Sequence, residues 1–219
     1  MSFANPTHPN VSDFAAFVLD QGVPPADLPS GTLSTIGIDV SGNLTATGTT
    51  GTIAVGSALV GPGIPANTYL VTWNGGTNSG TVSPAPPEAI NAASALTLSP
   101  YLQWAFNIAI GVTLIPPATL PAILYVMAVY NFGMHQLLKI GQDQPGQTFF
   151  TAQRAAFKLL SFIAGPVAAS ADQSTSNTLV TADFLKGLTM SGLDLIKTPW
   201  GQEYLAYSQM YGPNIVEAS

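Results

Sequence analysis

Residues 41–84, SGNLTATGTTGTIAVGSALVGPGIPANTYLVTWNGGTNSGTVSP, decide how this 219-residue chain is built. Short runs of threonine, valine, isoleucine and tyrosine are broken at close intervals by SGN, GTTG, GPGIP and NGGTNSG, which supply the turn residues of a small all-β unit. GTIAV, TYLVTW and GTVSP are the strand candidates. The same composition extends outward to residues 31–98, and this segment is predicted to be a small β-rich domain inserted between two helical parts. Its edges, Pro29-Ser30-Gly31 and Ser99-Pro100, are turn-like, as the ends of an inserted domain should be.

On the N-terminal side, residues 1–30 contain SDFAAFVLDQG. Ser12 is the expected N-cap, Phe14, Phe17 and Val18 form one apolar side, and Gly22 followed by two prolines is the stop. From residue 99 onward the sequence is helical in character. YLQWAFNIAIGVTLI (101–115) is apolar nearly all round apart from Gln103 and Asn107, one turn apart, and Pro116-Pro117 ends it. ILYVMAVYNFGMHQLLKIG (123–141) sets Asn131, His135 and Lys139 at successive i+4 positions, and TFFTAQRAAFKLLSFIAG (148–165) is amphipathic. GPVAASADQSTSNTLV reads as a polar loop or hairpin over 165–180. In KTPWGQEYLAYSQMYGP (197–213), Thr198 is an N-cap, Pro199 the first helical residue and Gly212-Pro213 the stop, while Trp200, Tyr204, Tyr207 and Tyr211 stack along one stripe. The expected fold is therefore a mostly α helical bundle, residues 1–30 and 99–219, carrying a small all-β insertion at 31–98, α+β overall.

Charge narrows the functional classes. Only 7% of residues are charged, against about 25% in an average soluble domain, while 47% are hydrophobic. So few charges do not cover a monomer's surface well, and other copies or other proteins are expected to cover part of it. All five bases (Lys139, Arg154, Lys158, Lys186, Lys197) follow position 138, whereas residues 1–138 hold five acids and no base. No lysine–arginine cluster exists to displace counterions from a nucleic acid, so strong DNA binding is not expected. No charge lies between Glu88 and Lys139, but the apolar stretches there are cut at about fifteen and eighteen residues and lack flanking basic loops, which favours buried helices over a membrane pair. MSFANPTHPN has neither the basic nor the apolar region of a secretory signal.

Catalytic chemistry finds little to use. The chain has no cysteine, no G-x-S-x-G, no H-E-x-x-H and no P-loop, and the glycines of GTTGTIAVG lack the lysine and helix start of a phosphate cradle. His135 reads as a helix-surface or interface residue, and Asp172, Asp183 and Asp194 as loop and cap residues and not a calcium site. Catalytic, cofactor-binding and metal-ligating residues are none, and no enzyme activity is expected.

Taken in order, YLQWAFNIAI, AILYVMAVYNFGMHQLL, AAFKLLSFIAGPVAAS, the polar loop and LIKTPWGQEYLAYSQMYG resemble the small helical adaptor type of head-completion, or head–tail connector, proteins of tailed bacteriophages. That family ends in a segment of the form T-P-[WY]-G-x-x-[YF]-L, which Thr198, Pro199, Trp200, Gly201, Tyr204 and Leu205 match. The resemblance covers 1–30 and 99–219. Residues 31–98 depart from it, and GTIAVGSALVGPGIPANTYL instead looks like β-modules inserted into many phage structural proteins.

The resemblance implies a structural virion protein of the neck, made in the host cytoplasm. It implies an oligomeric ring, usually twelve-fold, that binds below the portal protein, meets a tail-terminator or further connector protein, and continues the DNA channel without sequence-specific contact. Tyr207, Tyr211, Ile215 and Val216 are the expected partner-interface residues. Two other readings stay open: a capsid decoration or tail-surface protein displaying the β-module, and a membrane-active holin-like protein.

Overall fold

The computed structural model describes residues 3–113, 115, 117, 120–161, 169–171, 176–178 and 194–211, of which 92, 93, 169–171, 176–178 and 211 are described by their backbone alone. Six strands, β1 (Gly31–Ile38), β2 (Asn43–Gly51), β3 (Ala58–Val60), β4 (Tyr69–Asn74), β5 (Ser79–Ser83) and β6 (Ile90–Leu98), close into an antiparallel barrel in the order β1-β2-β5-β4-β3-β6. Closure rests on β1 pairing with β6, from Gly31 opposite Thr97 to Ile38 opposite Ile90, which leaves the sheet no open edge. Among the described residues the helices are α1 (Val11–Asp20), α2 (Pro100–Val112), α3 (Ala122–Ile140), α4 (Phe149–Ala156) and α5 (Pro199–Tyr211), with a 3₁₀ turn at Pro25–Asp27. Two three-residue strands, β7 (Ala169–Ala171) and β8 (Ser176–Thr178), pair antiparallel.

The expectation of a mostly helical bundle with a small insertion is overturned, because the closed barrel is a principal half of the architecture. It encloses its own core of Leu33, Ile36, Ile38, Leu44, Leu59, Leu70, Val82 and Ala95. The β3–β6 wall also serves the helices. Strand alternation turns Leu59 inward while its neighbour Ala58, paired with Leu98 of β6, joins Leu98 in the helical core beside Phe14, Leu102, Phe106 and Tyr130. Barrel and helices thus share buried surface. A local pattern of turns and β-branched residues announces strands, but it does not say that the first and last of them, separated by some fifty residues of chain, will zip together.

Local details depart from the sequence expectation for identifiable reasons. GTIAV is not a strand: β2 ends at Gly51, and the next strand begins at Ala58. Along β1 the inward residues are Leu33, Ile36 and Ile38, an interrupted alternation produced by a bulge at which Thr35 takes φ 43°. Helix α1 starts before Ser12, because the Asn10 side chain accepts the Asp13 N–H at 2.8 Å while its own amide donates to the Asp13 carboxylate at 2.8 Å. Helix α4 stops after eight residues instead of continuing toward residue 165.

Tyr130 of α3 organises the helical core. It is fully buried, flanked by the rings of Phe3, Phe14 and Phe17, and its hydroxyl accepts from the Asn10 N–H at 3.1 Å and donates to the Asn10 carbonyl at 3.2 Å. One phenol therefore satisfies the start of α1 from inside the core, and burial pushes its pKa up to about 12.

Candidate assembly surface and buried polar cluster

The segment Thr198–Leu205 folds as a tightly specified helix entry. Thr198 is fully buried, and its hydroxyl accepts the Gly201 N–H at 3.0 Å while its carbonyl accepts the Gln202 N–H at 3.0 Å. Pro199 opens α5 where no amide hydrogen is needed. Gly201 lies against Leu195 so closely that a Cβ there would overlap the Leu195 main chain. Glycine is needed at this position for close approach, not for an unusual φ.

The Thr198 hydroxyl also lies 2.8 Å from His135 Nδ1 in a hydrogen bond. The imidazole proton is assigned to Nε2 because that nitrogen faces the acceptor-only carboxylate of Asp194, with Oδ2 at 3.6 Å, which leaves Nδ1 to accept from the hydroxyl. Asp194 is held by Lys139 at 2.5 Å and by Lys197 at 3.1 Å, and Lys197 also donates to the Ser161 carbonyl at 2.9 Å. His135 is only 1% exposed, and burial drives its pKa down to about 4 although Asp194 pulls it upward. Burial alone would raise the Asp194 carboxyl, but the hydrogen bonds from Lys139 and Lys197 outweigh it and hold the group below its ordinary value. The expectation of His135 as a surface or interface residue is corrected: it is a core residue whose partners come from the approach to α5. Asp172 and Asp183 lie outside the described residues.

Hydroxyl, imidazole and carboxylate follow one another here in the order of a nucleophilic triad, yet the arrangement cannot act as one. The Thr198 oxygen is closed to solvent, already engaged at the helix start, and borders neither of the clefts described below. The cluster is a polar lock that pins the N-terminus of α5 to α3.

The aromatic stripe of α5 divides by position. Tyr204 is buried, with its ring stacked on Phe132 at 4.6 Å between centroids. Trp200 is half-buried, its indole N–H donating to Gln21 at 3.0 Å and its ring set edge-on to Phe157 at 6.1 Å. Leu205 and Tyr207 are also half-buried and pack at the rim of the helical core, and burial raises the Tyr207 pKa, with the Glu203 charge adding to it. Tyr211 is the last residue of α5, with its side chain outside the described residues, as are Ile215 and Val216.

The helical side of the molecule leaves large apolar side chains in solvent: Trp104, Ile110 and Val112 on α2, Ile123 at the start of α3, Leu160 after α4 and Met210 near the end of α5. Among the described residues, two clefts are notable. One, of about 720 Å³, lies on the barrel between Pro62 and the Pro86–Asn91 loop. The other, about 250 Å³, lies where the start of α1, the loop before β4 and α2 meet, and is lined mainly by apolar side chains with Asn10, Asn67 and Gln103. Neither holds a paired nucleophile and base, and among the described residues no group of three or more His, Cys, Asp or Glu side chains could hold a metal ion. No helix among the described residues is long and apolar enough to cross a membrane. No protein-family model, curated protein or solved structure matches this chain.

Proposed function

We propose that this protein is a structural subunit of a tailed-phage virion, a head–tail connector that assembles as a ring on the portal. The observation that carries the reading is the exposed apolar surface of the helical side, with Trp104 53% and Met210 71% exposed, on a chain in which only 7% of residues are charged. A ring protomer has flanks to cover, and large apolar side chains on the helices suit such flanks. The terminal segment Thr198–Leu205, on which the family resemblance rests, builds the lock that orients α5, whose Tyr207 at the rim of the helical core is the interface residue this reading uses. Catalysis has no part in this reading, and DNA would pass the ring without sequence-specific contact, in keeping with a formal charge of −6.

The barrel supports a second reading. It has a closed core of its own, and its outer face on β2 presents Thr45, Thr47 and Thr49 to solvent. Such a unit suits display on a capsid or tail surface, with the helices as its mount. Mass measurement separates the two readings. Mixed with portal rings, a connector sediments with them as about twelve copies. Failure to associate with portal or tail-terminator protein at any salt concentration refutes the connector, and binding to assembled capsid in its place selects decoration.

A further inference from the structure

Closure in strand order leaves one strand of the barrel incompletely paired. β6 runs from Ile90 to Leu98, and β1 follows one flank of it from Thr97 back to Ile90. On the other flank β3 covers only the far end, through Ala58 with Leu98, Leu59 with Thr97 and Val60 with Leu96. The reason lies in the residues after β3. Leu59 donates its N–H to the Thr68 carbonyl on the β4 side, so Ala58 and Val60 are the residues whose main chain faces β6, and the next in that alternation is Pro62. In register Pro62 would meet Ser94, but proline has no N–H to give the Ser94 carbonyl. The chain turns away there, with Gly63 at φ 76° and the Ile64 N–H on the Gly61 carbonyl at 3.2 Å. Among the described residues no strand pairs with this flank over residues 90–94, about 17 Å of β6.

The cleft of about 720 Å³ lies along that uncovered flank. It is lined by Pro62 and Gly63 from the turn after β3, by residues 86–89 of the loop before β6, and by Ile90, Asn91 and Ser94 of β6 itself. Strand edges are commonly guarded by a lysine or a proline on the strand, and the segment INAAS, 90–94, has neither. Glu88 is the charged residue of the cleft lining; it is exposed and forms no ion pair among the described residues.

We propose that this flank of β6 is a docking groove for an extended segment of another protein, which adds as a strand beside residues 90–94 and sets a lysine or arginine against Glu88. Two observations name the occupant. Unpaired main-chain groups along a strand are matched by another extended main chain, and side-chain contacts then select which one. The groove is negative, and this chain offers no extended base to answer it. Nothing before Lys139 is basic, Lys139 and Lys197 are held on Asp194, and Arg154 is held on the Leu138 and Gly141 carbonyls, all on or beside helices. Charge complementarity therefore favours a different protein over a second copy. The groove goes beyond the connector reading and does not rest on it.

Two measurements on the full chain test this. In amide hydrogen exchange of the free protein, the Ser94 N–H on the open flank should exchange much faster than the Leu96 and Leu98 N–H groups that face β3. Equal protection would mean that the flank is already covered, and overturns the proposal. The second measurement is fluorescence anisotropy with capped seven-residue peptides that alternate threonine and valine and carry one lysine at each position in turn. At least one should bind with a Kd below about 1 mM and slow exchange of the Ser94 amide. Methylating alternate main-chain nitrogens of that peptide, in either phase, tests the strand pairing, and one of the two phases should abolish binding, because it removes donors and keeps every side chain. Glu88→Lys, an exposed loop substitution whose fold circular dichroism checks, should weaken the lysine peptide by about tenfold or more and favour the same peptide with glutamate in place of lysine. Absence of binding across the set, equal binding of both methylated forms, or indifference to Glu88→Lys overturns the proposal. A change in self-association of the chain on Glu88→Lys, read by sedimentation, would make a second copy the occupant and overturns it as well.

Discussion

Acidification should unlock α5 before it affects the carboxylates that stabilise the fold. His135 has a pKa near 4 in the folded protein against 6.5 when unfolded. Between these values the unfolded chain binds a proton that the folded chain refuses. The stabilisation from burying a neutral imidazole is therefore complete above pH 6.5 and is lost as pH falls toward 4. A separation of about 2.5 pH units corresponds to about 3 kcal/mol, most of it gone by pH 4.5. This is a large share of the 5–15 kcal/mol typical of a domain. The lowered carboxyls, Asp13, Asp143 and Asp194, act in a different window, since each contributes stability that persists until the pH drops below about 4. The assay is urea unfolding at pH 7, 6, 5 and 4.5 for wild type and His135→Gln, which fills much of the site but carries no charge in this range. Wild-type stability should fall by about 2–3 kcal/mol more than that of the variant over the interval. Parallel pH profiles would refute both the buried neutral imidazole and the lock built upon it.

Three further outcomes test the packing. Gly201→Ala forces a methyl into the Leu195 main chain, which cannot move aside as a side chain could, and should cost about 3 kcal/mol in denaturant unfolding while leaving the barrel's tryptophan environment at Trp73 unchanged. Asp27 is fully buried with neither carboxylate oxygen in a hydrogen bond of good geometry, and burial, with the Asp143 charge adding to it, raises its pKa against the opposing effect of the Gln144 main chain. The ionised form thus opposes folding, so Asp27→Asn should stabilise the protein at pH 7 and the gain should shrink as acid protonates the wild type; a variant that is less stable at pH 7 contradicts this. Thr35→Gly removes a β-branched residue from the left-handed region at the β1 bulge and should raise stability by about 1 kcal/mol, whereas a loss would mean that the Thr35 side chain earns more through contacts than its backbone gives up.

Much of the local structure was legible in the sequence because its causes lie within a few residues. Thr198, Pro199 and the aromatic spacing marked α5, the apolar run from Tyr101 marked α2, and TYLVTW and GTVSP marked β4 and β5. The charge division at position 138 was also plain in the chain itself. Elements whose boundaries depend on special backbone were misread. The expected continuation of α4 fails where Lys158, not a glycine that would have announced the turn, goes left-handed, and GTIAV, expected as a strand, lies between β2 and β3 apart from its first residue. What only the tertiary structure decided are pairings between distant segments: β1 with β6 to close the barrel, Ala58 and Leu98 with the helical core, and His135 with Thr198 and Asp194. A histidine on an apolar helix shows no partner within its own turns, so its burial could be read only once a hydroxyl and a carboxylate some sixty residues later were seen to satisfy it. The sequence determines which side chains need a partner, and burial, which comes only with the folded chain, determines which partner they get, because a polar group out of water must find its hydrogen bond wherever packing brings one.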